Sequence, residues 1–170
     1  MKRVSDERNL DVVDIFKKYN DRIYRYIFIR VNFNKQIAED IAQEVFVKVL
    51  KNKQSFDPRK SSLKNWIFII ARNLVIDYYR KKKFENIPDG AQEYVSNNED
   101  NIEDKAAFTE ILDKLSELTD EEKELIIFYY IEDFSIDEIS ELVGKKYTAT
   151  KISIYRALDK LKEKINGKDQ

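Results

Sequence analysis

Apolar residues recur at steps of three and four along the first half of the chain. Val12, Phe16, Tyr19, Ile23, Tyr26 with Ile27, and Arg30 follow this spacing, which predicts an amphipathic helix over about 11–32. Asn34 can cap a second helix. Its positions 37, 41, 45 and 49 form one apolar stripe, widened by Ala38, Ala42 and Phe46, with Glu39, Asp40, Gln43, Glu44 and Lys48 on the opposite face. The pattern stops at Asp57-Pro58 within K-N-K-Q-S-F-D-P-R-K-S-S, so this segment is expected to be a loop. A third helix is expected from about 62 to 83, burying Leu63, Ile67, Ile70, Leu74 and Tyr78. It carries a second stripe of Asn65, Phe68, Arg72, Ile76, Tyr79 and Lys83, where a helix with one core face would carry polar residues alone.

The second half is punctuated differently. Thr119-x-x-Glu122 and Ser135-x-x-Glu138 are capping-box sequences, predicting helices at about 120–131 and 136–143. Gly144 stands where a helix ends in a left-handed residue, and a basic helix follows over about 148–165. A short helix, a turn and a longer basic helix form a helix-turn-helix pattern. The expected fold class is therefore all-α.

Charge divides the chain. Residues 72–83 hold five cations against Asp77, residues 85–110 hold eight acids against Lys105, and residues 144–164 hold seven cations against two acids. The acidic middle also contains Pro88, Asp89-Gly90 and Ser96-Asn97-Asn98, so a flexible linker over 85–104 is expected between small helical domains at 1–84 and 105–170. The formal net charge of −1 conceals this segregation.

The 170 residues include no Cys and no His, which excludes disulfides, thiolate metal sites and hydrolases of the Ser-His-Asp or Cys-His type. No cofactor is implied. No apolar run reaches membrane-spanning length and the N-terminus lacks the apolar core of a signal peptide, so membrane insertion is not expected and a cytoplasmic location is.

Two segments carry candidate chemistry. Aromatic and cationic groups alternate on the third helix, which ends in Arg80-Lys81-Lys82-Lys83. Aromatic rings stack on exposed bases and cations track phosphates, so this pattern suits single-stranded nucleic acid. For Trp66, Phe68 and Tyr79 taken singly, core packing is an open alternative. In the second segment, Tyr147, Thr148, Lys151 and Tyr155 would enter a major groove, with Lys145, Lys146, Arg156 and Lys160 near phosphates. Two rival readings exist: a stand-alone helix-turn-helix repressor binding duplex DNA as a dimer, and a helical adaptor that binds only proteins through the 37–50 face. Neither explains both the acidic 37–50 face and the aromatic-basic helix.

The strings I-A-E-D-I-A-Q-E-V-F-V-K-V-L, W-I-F-I-I-A-R-N-L-V-I-D-Y-Y-R and L-T-D-E-E-K-E-L-I-I-F-Y-Y-I-E-D-F-S-I-D-E-I-S-E-L-V-G resemble those of a bacterial sigma factor of the sigma-seventy family, extracytoplasmic-function class. The likeness covers about 11–84 and 110–165. It implies a non-enzymatic initiation factor whose partners are core RNA polymerase, at its clamp and flap, promoter DNA, and, where one exists, an anti-sigma factor. By the same resemblance, Glu39, Asp40, Gln43, Glu44 and Lys48 face the polymerase clamp. The loop 54–62 and the following helix capture and melt the −10 element through Phe56, Arg59, Lys60, Ser62, Asn65, Trp66, Phe68, Arg72, Asn73, Tyr79, Arg80 and Lys83. Lys145, Lys146, Tyr147, Thr148, Lys151, Tyr155 and Arg156 are assigned to the −35 element. The chain departs from the family pattern at Ser140, where Ala is usual, and at Ala149 and Thr150, where Thr and Val are usual.

Overall fold

The computed structural model describes residues 11–85, 110 and 113–167. The described residues are predominantly helical and contain no strand. The chain divides into two compact units, Met1–Gln92 and Glu93–Gln170. The linker expected over 85–104 lies, apart from Glu85, outside the described residues.

The first unit is built from α1 (Val12–Arg30), α2 (Lys35–Asn52), a 3-10 turn (Lys53–Ser55) and α3 (Leu63–Phe84). Each helix begins at a polar cap. The side chains of Asp11, Asn34 and Ser62 accept from the backbone N–H of Val13, Ile37 and Asn65, satisfying donors that the first turn leaves without partners. All three helices pack on one another. Ile15, Tyr19, Ile23, Tyr26 and Ile27 of α1 meet Ala38, Ile41, Ala42, Val45 and Val49 of α2 and Ile67, Phe68, Ala71, Leu74 and Val75 of α3 in one core. Ile15 takes the inward position that the spacing had given to Phe16. Phe16 is exposed on one side and sets its ring edge-on against Phe46, 4.9 Å between centroids.

At the C-terminus of α1, Val31 N–H donates to the carbonyl of Ile27, and Asn32 and Phe33 turn the chain through left-handed conformations, φ 53° and 62°. Tyr79 of α3 donates its hydroxyl to the carbonyl of Arg30 at 2.5 Å. That carbonyl belongs to the last turn of α1, where no intrahelical donor exists, so Tyr79 ties the two helices together.

The second unit contains helical residues 113–116, then α4 (Asp120–Ile126), which continues as a π-helical turn over Ile127–Ile131, α5 (Ile136–Val143) and α6 (Tyr147–Asn166). Both capping boxes form in full: Thr119 with Glu122, and Ser135 with Glu138, each side chain bonding the other residue's backbone N–H. The helix expected over 120–131 has the right extent, but its last turn widens: Glu132 N–H donates to the carbonyl of Ile127, five residues back. Leu125, Ile126, Phe128, Phe134, Ile139, Leu142, Ile154, Ala157 and Leu161 form the core.

Gly144 closes α5 at φ 69° and its N–H bonds back to Ser140. A Cβ added there would meet nothing within 4 Å, so the backbone alone decides the effect of a side chain. Gly144→Ala should destabilise the second unit by ~1–2 kcal/mol, the cost of a left-handed L-residue, measured by amide exchange in α5 and α6. Thr150 is completely buried and its Oγ1 has no hydrogen-bond partner. The site asks for a β-branched apolar residue, so Thr150→Val should stabilise the same amides by about 1 kcal/mol.

Candidate functional site

Three surfaces hold most of the residues singled out by sequence. On α2, Asp40, Gln43 and Glu44 are exposed and Glu39 and Lys48 half-exposed. The charges are lightly held: Gln36 Nε2 donates to Asp40 Oδ1 at 3.1 Å, Lys35 lies 3.8 Å from Glu39, and Lys48 lies 4.0 Å from Glu44. Pairs this exposed contribute little to stability and leave the carboxylates available to a partner. The same face presents Val47 and Leu50, 47% and 53% exposed. Sequence reading passed over them, although both stand off the 37-41-45-49 core stripe, which was the available signal.

At the start of α3 the loop gathers an aromatic-cationic cluster. Phe56 and Trp66 are half-buried and lie 5.3 Å apart, tilted at 46°. Lys60 and Ser62 are exposed, although the Ser62 side chain is engaged as the α3 cap. Arg59 forms a two-bond fork with Asp57, Nε to Oδ1 and Nη2 to Oδ2, both 3.0 Å. This hydrogen bonding from Arg59 lowers the Asp57 carboxyl from 3.8 to about 2, so the fork persists through the ordinary carboxylate range and opens only as pH falls toward about 2.

The stripe expected on α3 is corrected by the structure. Phe68 is completely buried, edge-on to Tyr26 at 5.7 Å and beneath the Arg22 guanidinium, and Asn65 is also buried. Neither can meet a base. The reason is geometric: α3 packs on both α1 and α2, so it buries far more than one narrow stripe, and Asn65 and Phe68 fall inside that arc. Arg72 and Tyr79, further along this line, are half-buried, with Tyr79 tied to Arg30, and only Lys83 is fully exposed. The outward face of α3 instead runs through Trp66, Asn73 and Arg80, seven residues apart, with Arg80 3.4 Å from Asp77.

In the second unit, Lys145, Lys146, Tyr147, Thr148, Lys151, Tyr155 and Arg156 are all exposed. They occupy the turn and the outward side of α6, opposite buried Thr150, Ile154, Ala157 and Leu161. Tyr155 lies near Tyr130 of the π-helical turn. Burial, and then the neighbouring Tyr129, Tyr155 and Asp159, raise the Tyr130 hydroxyl above its ordinary value.

Three lysines counted in the basic segment are already paired within the unit. Lys145 bonds Glu121, Lys160 bonds both oxygens of Glu122 at 3.0 and 2.9 Å, and Lys164 bonds Glu117 at 2.7 Å. For Glu122, burial raises the carboxyl while Lys160 and Thr119 lower it, and lowering wins; Glu117 is lowered chiefly by Lys164 and Lys114. The acidic first turn of α4 thus faces the cations of the helix-turn-helix. Lys145 and Lys160 each have a carboxylate partner at a partly exposed site, so a phosphate at either would compete with that carboxylate. Glu121→Gln should therefore raise affinity for duplex DNA severalfold and steepen its salt dependence by about one counterion, read from binding across a salt series.

Residues 15–85 match Sigma-70 region 2 and residues 108–161 match Sigma-70, region 4. The extracytoplasmic-function (ECF) RNA polymerase sigma factor SigW of Bacillus subtilis is 32% identical over 178 residues, covering 97% of this chain and 92% of that protein. The chain belongs to the ECF sigma factors. It is 29% identical over 149 residues to the ECF sigma factor BldN of Streptomyces coelicolor, covering 85% of this chain and 56% of BldN, so it spans little more than half of that relative. In fold it resembles the sigma factor RpoE of Bartonella quintana, solved with the anti-sigma factor NepR. The TM-score is 0.72 at 21% identity, covering 90% of this chain and 95% of that one. Among the described residues no helix is long and apolar enough to cross a membrane and no group of acids is placed to hold a metal ion.

Proposed function

We propose that this sigma factor binds core RNA polymerase through the outward face of α2 and directs it to promoters whose −10 and −35 elements are met by different units. The observation that carries the reading is the presence in one chain of two surfaces: an acidic helix face with exposed aliphatics beside an aromatic-cationic loop, and a helix-turn-helix with a solvent-facing basic helix. Asp40, Gln43, Glu44, Val47 and Leu50 offer a mixed charged and apolar patch suited to a basic clamp surface. Phe56, Trp66, Arg59 and Lys60 at the loop, with Asn73 and Arg80 along α3, suit a strand whose bases leave the duplex. Phe68 and Asn65 have no part in it. Lys145, Lys146 and Arg156 meet phosphates while Thr148, Lys151 and Tyr155 face the groove.

The protein contributes binding and strand separation and leaves nucleotide chemistry to the polymerase. It works in the cytoplasm and is a target for an anti-sigma factor. Residues 1–84 and 105–170 act as separate binding domains on an acidic tether. The dimeric repressor lacks support, because the first unit matches region 2 and leaves no unexplained dimerisation domain.

The test is transcription by purified core polymerase, with and without the protein, on a genomic promoter library. Initiation at a defined promoter set only when the protein is present supports the reading. An unchanged profile, with tight palindromic binding in the absence of polymerase, would reverse it.

A further inference from the structure

The outward face of α6 carries one residue that its polar neighbours do not account for. Thr148, Ile152, Tyr155 and Arg156 lie opposite the buried line of Thr150, Ile154, Ala157 and Leu161. Ile152 sits near the middle of that face, one turn after Thr148 and one turn before Arg156, and is 48% exposed. A single exposed aliphatic side chain is ordinary on a protein surface. This one lies in the second turn of the helix that follows the tight turn, the part of a helix-turn-helix that meets base edges.

We infer that Ile152 is a specificity-determining residue of this helix and that it reads the 5-methyl group of a thymine in the −35 element. The inference rests on the promoter reading above and extends it to one residue and one base. Base edges in the major groove present hydrogen-bond donors and acceptors and one apolar group, the thymine methyl. Ile152 can neither donate nor accept a hydrogen bond from its side chain, so packing is the only discrimination it can make. Arg156, one turn on, is an exposed cation able to hold the backbone while the aliphatic group approaches the base pair. Opposite a cytosine, guanine or adenine edge, Ile152 would displace water from polar atoms and return no bond, which disfavours those bases.

The experiment uses the full-length chain with core polymerase on a promoter selected from a library randomised at −35. Each thymine of that element is replaced singly by deoxyuridine, which keeps its hydrogen bonds and loses only the methyl. The wild-type protein should lose about fourfold in promoter affinity at one thymine, the value of one buried methyl-sized group. Ile152→Ala should bind the thymine promoter about fourfold more weakly and be indifferent to deoxyuridine at that position. Deoxyuridine tolerated at every position by the wild type, an undiminished methyl effect in Ile152→Ala, or a selected element without thymine overturns the inference. Failure to select any promoter overturns the promoter reading, and this inference with it. The deoxyuridine series on unmodified protein stands whatever the substitution does to the fold.

Discussion

A folded Asp40→Lys/Glu44→Lys double variant should fail to capture core RNA polymerase. Both side chains stand on the outward face of α2, one turn apart, and neither is committed to the core. Asp40 accepts only a surface bond from Gln36, and Glu44 faces Lys48 at 4.0 Å. The helix should therefore keep its place, at a cost of a few tenths of a kcal/mol from lost surface pairs. Against a basic partner surface the exchange converts two attractions into two repulsions. Like charges brought together across an interface cost several kcal/mol, so affinity should fall on the order of 100-fold or more. Circular dichroism and Trp66 fluorescence establish the fold, and pull-down of core polymerase reads the binding. Wild-type capture by the folded variant would remove α2 from the interface. Val47→Ser should then be compared. A moderate loss there with the acids intact would show that the aliphatic part of the patch is in contact as well, since Val47 is half exposed and its removal leaves no cavity.

The elements were largely legible because each is announced by local chemistry. Caps at Asn34, Thr119 and Ser135, the break at Asp57-Pro58 and the left-handed Gly144 all act through the backbone of a few neighbouring residues, and all appear as expected. How wide an arc of a helix is buried depends on where its neighbours lie, and spacing does not report their placement. On α2, one broad stripe serves, and the polar face was assigned correctly save for Val47 and Leu50. On α3, the arc buried against α1 and α2 extends past the expected stripe to Asn65 and Phe68. An aromatic at position 68 therefore looks the same in sequence whether it meets a base or Tyr26. Asn tolerates the left-handed region, so Asn32 carries a weak local signal, whereas Phe33 and the π-helical turn at Ile127–Ile131 carry none of the Gly or Pro kind.

Charge counting had a related limit. A run of lysines predicts a basic surface only if acids elsewhere in the chain do not meet it. Glu117, Glu121 and Glu122 lie more than twenty residues from their partners in sequence and at ion-pair distance in space. Arg59 and Asp57 repeat the arrangement at short range. In both units a cation assigned to nucleic acid is held by a carboxylate of its own unit. Binding DNA then means exchanging one acceptor for another, and the net gain is the difference between a phosphate and a carboxylate, far less than a free cation would give.

Phe68→Ala tests whether position 68 of α3 serves the core and should strongly destabilise the first unit. The ring is completely buried between Tyr26 and the Arg22 guanidinium in a core shared by all three helices. Truncation leaves a cavity that this three-helix core can only partly close, so the unit should lose ~3–5 kcal/mol. A small domain has only about 5–15 kcal/mol in all, so this is a large share of its stability. Chemical denaturation followed through Trp66, the only tryptophan, reports this unit alone. Tyr79→Phe removes the hydroxyl bond to Arg30 while keeping the ring, and should cost about 1 kcal/mol. If Phe68 met a base instead, Phe68→Ala would leave the denaturation midpoint almost unchanged and impair strand opening specifically, with rescue on a promoter whose −10 bubble is already unpaired. Burial predicts the reverse: a lower midpoint, and a transcription defect on closed and pre-opened templates alike. Trp66→Ala should behave in the opposite manner, because Trp66 is half-buried against Phe56 on the outward face. Its loss should cost the fold less than Phe68 and weaken capture of the unpaired strand by ~1–3 kcal/mol, the value of one base stacked on an aromatic ring.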